Sequence, residues 1–142
     1  MKRILTIYSD GACSGNPGPA AIGIVIKEGE QLIKEISRPI GDATNNVAEY
    51  TALIYALQEA LILRAEEVHI FTDSELLFKQ VKGVYQVKEP GIKRLFEQVL
   101  HLASGFPSFE IRHVPREQNK EADRLAKQAI KDQKKAASEP TP

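Results

Sequence analysis

Apolar and polar positions alternate along this chain in patterns that change period several times. Residues 4–9, ILTIYS, are aliphatic and β-branched and stop at Asp10-Gly11, which predicts a strand closed by a turn. AAIGIVIK (20–27) and QLIKEIS (31–37) read as two further strands joined around Glu28-Gly29-Glu30, so the first three strands should form an antiparallel meander. From Thr44 the period becomes helical. Val47, Leu53, Ile54, Leu57 and Leu61 share one face up to about residue 63, with Asn46 placed to cap and Glu49 three residues on. VHIFT (68–72) is a strand, SELLFKQV (74–81) a short helix, and 92–102 a longer helix opening near Pro90. Residues 109–114 form the last strand, and a helix from about 119 to 131 carries Ala122, Leu125, Ala126 and Ala129 on one face.

The order β, β, β, α, β, α, α, β, α predicts the α/β class. A helical crossover makes the strand at 68–72 parallel to a strand of the meander, giving a mixed sheet flanked by helices. The stretch CSGNPGP (13–19) holds too many breakers for an element, and no repeat is visible. The expected organisation is one domain over 1–132 and a flexible C-terminal tail over 133–142.

Length and composition sharpen this picture. The 142 residues with 42% hydrophobic content suit one domain with a real core. The 19 Lys and Arg balance the 19 Asp and Glu, yet residues 1–78 hold 6 basic and 11 acidic side chains whereas residues 79–135 hold 13 basic and 7 acidic. An acidic half is thus followed by a basic one. The single cysteine, Cys13, excludes an intramolecular disulfide framework and a multi-cysteine zinc site, as expected for a reducing compartment. No apolar run reaches the roughly 18 residues of a membrane span, and the start MKRILTIYSD turns acidic too soon for a signal peptide. A cytoplasmic location without membrane contact is expected.

Four carboxylates carry the candidate chemistry. Asp10 and Asp73 each follow an apolar strand, and if those strands are parallel neighbours both acids face one crevice at the sheet's carboxyl edge. Glu49 lies in the helix that crosses between them, and Asp123 on the last helix. Each also has a local reading: Asp10 in a turn, Asp73 as a helix cap, Glu49 in a capping box with Asn46, Asp123 paired with Lys127. Together they repel, so a fold keeps such a cluster where cations neutralise it. Oxygen donors without a Cys or His cluster point to Mg²⁺ or Mn²⁺.

In order along the chain, YSDGACSGNPGPAAIG, TNNVAEYTAL, IFTDSELL and HVPREQNKEADRLA resemble type 1 ribonuclease H over residues 4–131. The resemblance implies a ribonuclease H-like fold with a five-stranded mixed sheet, parallel central strands and helices on both faces. It further implies cleavage of the RNA strand of RNA/DNA hybrids by two ions held by Asp10, Glu49, Asp73 and Asp123, leaving 5′-phosphate and 3′-hydroxyl ends. Asp10 would bridge both ions. The 2′-hydroxyl separates RNA from DNA, and the resemblance places Gly11, Ala12, Cys13, Asn16, Asn45 and Asn46 near the RNA strand. Thr44 matches a position beside a DNA-strand phosphate and equally suits a helix cap. GNPGP lacks the GK[ST] ending of a phosphate-binding P-loop.

Two departures matter. Some relatives carry a long, basic, Trp-rich protrusion after TDS; here VKGVYQVKEPGIK is short and has no Trp, so this chain resembles the subgroup that lacks it. Lys82, Tyr85, Lys88 and Lys93 still combine charge with an aromatic face there. Many relatives also use a loop histidine ahead of the last Asp. Aligning VP of HVPRE on the strand end puts His113 inside the strand and Arg116-Glu117 at the loop position, so His113 is not expected to be catalytic. His69 and His101 read as structural. Lys82, Lys88, Arg116 and Asn119 complete the candidate substrate contacts. The expected substrate is an RNA/DNA hybrid, bound by a monomer without an obligate protein partner. Alternatives are a silent nucleic-acid-binding module of the same fold, or the same chemistry on RNA duplexes or junctions.

Overall fold

The computed structural model describes residues 2–138. Strands β1 (Ile4–Cys13), β2 (Gly18–Glu28) and β3 (Gln31–Ala43) form the expected antiparallel meander. Helix α1 (Asn45–Ile62) then crosses to β4 (Glu67–Thr72), which pairs parallel with β1. Helices α2 (Glu75–Val81) and α3 (Pro90–Ala103) lead to β5 (Ser108–His113), parallel to β4. A 3₁₀ turn at Arg116–Gln118 precedes α4 (Lys120–Ser138). The five-stranded order is β3-β2-β1-β4-β5, so the mixed sheet read from the sequence is present with β1 at its centre.

Alternation along β2 separates the two layers. Ile22 and Ile24 are fully buried in the main core with Leu5, Ile7, Leu53, Leu57 and Ile70, where α1 covers the sheet. Each such fully buried aliphatic side chain contributes about 2 kcal/mol relative to exposure. Ala21 points the other way and packs with Ala129 and Ile130 of α4. Small residues let α4 sit close: a Cβ on Gly23 would lie 2.0 Å from the Ala122 carbonyl oxygen and 2.6 Å from the Ala126 nitrogen. No helix among the described residues is long and apolar enough to cross a membrane.

Several boundaries differ from expectation for physical reasons. β1 does not stop at Asp10-Gly11, because pairing with β2 continues through Asp10↔Gly23 to Cys13↔Ala20. Asp10 is therefore a strand residue and not part of a turn. Thr44 caps α1 in place of Asn46: its hydroxyl accepts from the Val47 N–H at 3.2 Å. α4 continues to Ser138, so the tail expected to be flexible from 133 is helical through 138, and 139–142 lie outside the described residues.

Because Gly23 meets α4 backbone, Gly23→Ala is expected to destabilise the protein by about 2–3 kcal/mol, lowering the melting temperature by roughly 10 °C. A melt within a degree or two of wild type would show that α4 can shift freely.

Candidate active site

Asp10 stands in the central strand, and the next residue decides how close α1 can come. A Cβ on Gly11 would lie 2.2 Å from the Ala48 carbonyl carbon. Glycine there lets the first turns of α1 rest on β1, and the Gly11 N–H donates to Glu49 Oε2 at 3.2 Å. Parallel pairing of β1 with β4, Tyr8 beside Phe71, carries Asp10 and Asp73 to the same sheet edge. Asp73 does not cap α2; the Ser74 hydroxyl does, accepting from the Leu77 N–H at 3.1 Å. Asp73 is thus left to face the cleft. Asp10, Glu49 and Asp73 each offer a carboxylate oxygen, all within 4.8 Å of one another.

Asp123 completes the set from α4. The buried Asn119 donates through Nδ2 to the Ser9 carbonyl at 3.0 Å, fastening the start of α4 to the residue before Asp10. One turn along α4, the Lys127 ammonium lies 3.0 Å from Asp123 Oδ2. The local pairing read from sequence is real, and both residues also line the cleft.

The electrostatics follow from burial. Asp10 is 4% exposed and Glu49 6%, and no Lys or Arg is buried among the described residues. Burial first, then the neighbouring Glu49, Asp73 and Asp123 charges, pushes the Asp10 carboxyl far above its ordinary range. Burial, and next the Asp73 charge, raises Glu49, while the Gly11 N–H bond pulls the other way. Such a set has the oxygen donors and the convergence to suit one or more hard divalent cations.

An open cleft of about 350 Å³ surrounds the four acids. Of the expected substrate contacts it brings in Gly11, Ala12, Cys13, Asn45 and Arg116. Asn16 sits just behind, its Oδ1 accepting from the Asn45 N–H at 2.9 Å, and Cys13 Sγ is 3.8 Å from Asn45 Oδ1. Those bonds join the GNPGP loop to the start of α1. Thr44 is engaged as a cap, and Asn46 is outside the cleft lining. Asn119 is corrected from a substrate contact to a positioning residue, since it is 1% exposed and anchored to Ser9. Lys82 and Lys88 are exposed in the segment between α2 and α3, away from the acids. His113 faces α2, its ring 6.0 Å from that of Phe78, whereas Arg116 lines the cleft. Sequence reading named Lys127 only as an ion-pair partner; its spacing four residues after Asp123 was the signal that it shares the site.

These observations define a class. The chain matches the family model described as Reverse transcriptase-like over residues 8–129. It is 42% identical to Ribonuclease HI of Halobacterium salinarum across 88% of this chain and 63% of that protein. It is 39% identical to Ribonuclease H of Geotalea uraniireducens across 87% of this chain and 92% of that one. Among solved structures, LC11-RNase H1 in complex with an RNA/DNA hybrid superposes with a TM-score of 0.85 at 43% identity, covering 90% of this chain and 97% of that one. The chain belongs to the type 1 ribonuclease H family. It spans 63% of the Halobacterium protein's length and 35% of a Mycobacterium tuberculosis relative's.

The raised carboxyls make stability depend on pH. Unfolded Asp and Glu titrate near about 3.9 and 4.3, so above about pH 4 the metal-free folded chain binds more protons at Asp10 and Glu49 than the unfolded chain does. Their contribution to stability should therefore fall as pH rises from about 4 through the raised folded values. In EDTA, Asp10→Asn is expected to gain on wild type steadily between about pH 5 and 8, and Mg²⁺ to narrow the gap. Parallel thermal melts of the two proteins that stay equally spaced across that range would contradict the assignment.

Proposed function

We propose that this protein is a divalent-metal-dependent endoribonuclease that hydrolyses the RNA strand of RNA/DNA hybrids. The observation that carries the reading is the convergence of Asp10, Glu49 and Asp73, with Asp123 beside them, in a cleft edged by the Gly11–Cys13 backbone and Asn45. A related protein, LC11-RNase H1, has been solved with an RNA/DNA hybrid, which supports the choice of substrate.

Asp10, Glu49, Asp73 and Asp123 would hold two Mg²⁺ or Mn²⁺ ions, which when bound supply charge neutralisation at the scissile phosphate and activation of the attacking water. Asp10 is central, since it neighbours all three other acids. Glu49 is oriented by the Gly11 N–H, and Asp123 by the anchoring of α4 through Asn119. Backbone at Gly11, Ala12 and Cys13, with Asn45 and Asn16, would sense 2′-hydroxyls of the RNA strand; all but Asn16 line the cleft, and the Asn16 Oδ1 accepts from the Asn45 N–H. Arg116, which occupies the position expected for a loop histidine, presents a guanidinium to the phosphate. The products on this reading carry 5′-phosphate and 3′-hydroxyl ends.

The test uses one end-labelled sequence as RNA/DNA hybrid, RNA duplex, DNA duplex and single-stranded RNA, each with Mg²⁺, Mn²⁺ or EDTA. Metal-dependent cutting confined to the hybrid's RNA strand is expected, with none from Asp10→Asn. Binding without cleavage under every metal would instead favour a silent binding module. Arg116→Ala should lower turnover by about tenfold or more at unchanged melting temperature, whereas His113→Ala should leave turnover within about threefold. The reverse ranking in steady-state assays would place the loop function on His113.

A further inference from the structure

Five cations, Lys120, Arg124, Lys127, Lys131 and Lys134, recur at helical spacing along one side of α4, and all five are exposed. Arg124 is engaged with Glu121 at 3.1 Å and Glu35 at 3.8 Å. The remaining C-terminal three have a definite course. Lys127 lies inside the catalytic cleft. Lys134 bonds the Ser14 hydroxyl, in the loop that follows Cys13. Lys131 is exposed between them. Asp132 lies off this edge and is bonded by Gln128 at 2.9 Å.

We propose that the Lys127–Lys131–Lys134 edge of α4 is a track for the polynucleotide backbone, extending the bound duplex's footprint beyond the cleft. This rests on the hybrid-nuclease reading above. The edge begins at the acids where the scissile phosphate would sit and ends at the loop placed beside the RNA strand. Its length, about 10 Å at 1.5 Å per residue, is enough to meet more than one successive phosphate of one strand. The opposite face of α4 is spent against the sheet through Ala122, Ala126 and Ala129, so the helix has no apolar stripe left for a lipid surface. Side chains on such an edge would meet phosphates without reading bases. In this way α4 takes over affinity that the short segment after α2 does not supply.

The experiment compares wild type with the double variant Lys131→Gln/Lys134→Gln, both in EDTA so that nothing is cleaved. Binding to RNA/DNA hybrids of about 8 and about 18 base pairs is measured by fluorescence anisotropy over a salt series. The variant is expected to bind the longer hybrid about 5- to 20-fold more weakly near 0.1 M salt, with a log K against log salt slope smaller by about 1–2. The short hybrid should be affected by less than about threefold. A control of equal charge change, Lys2→Gln/Lys34→Gln, should behave as wild type, and melting temperatures confirm folding. Equal slopes for variant and wild type, or an equal loss in the control, overturn the α4 track alone. A wild type that binds neither hybrid at any salt overturns the hybrid-nuclease reading and the track together.

Discussion

Like charges buried side by side repel, and everything around Asp10 is arranged so that the chain tolerates it. Asp10 and Glu49 are nearly inaccessible to water, Asp73 is within reach of both, and Asp123 approaches from a fourth element. Left alone, Asp10 and Glu49 hold protons that ordinary carboxyls would release. Their geometry is kept by contacts that do not depend on charge: the Gly11 and Gly23 close approaches, and the Asn119 bond to Ser9. Fixed placement of a repelling cluster is unfavourable by itself, and a divalent cation held by the same carboxylates would offset that cost.

Most of the architecture was legible because periodicity is a local signal. The meander, the parallel β4 and β5, and all four helices follow from runs of apolar residues that their neighbours do not contradict. Errors fell where tertiary contacts overrule local chemistry. Asp10-Gly11 looks like a turn, yet β2 supplies partners through Cys13, so the strand runs on. Asn46 and Thr44 are both good caps by residue type, and α1 starts at Asn45, which leaves Thr44 in the cap position. The polar end of α4 is solvated as it looks, yet the helix, seated on the sheet through Ala129 and Ile130, runs on through it.

The site divides in the same way. The four acids were legible, for their residue types survive any uncertainty in boundaries. Asn119 was misread as a substrate contact because an asparagine near a site gives no sign, in sequence, of whether it faces inward. Its partner is 110 residues away. Arg116 and Lys127 gained their place from 3₁₀-turn and helix geometry that spacing only suggests. The acidic and basic halves of the chain acquire a meaning in space as well. The first half carries three of the four acids; the basic half supplies Asp123 together with the cations beside it.

That order has a bearing on synthesis. A nascent chain that has emerged only through β5 already contains Asp10, Glu49 and Asp73, while Gly23 and Ala21 still lack the helix that covers them. Asp123 arrives with α4, and so does the Asn119 tie to Ser9. The set of four acids therefore cannot be completed before the helix that covers this face of the sheet has been made. Covering that face of the sheet and assembling the four-carboxylate set are thus one event in the order of the chain.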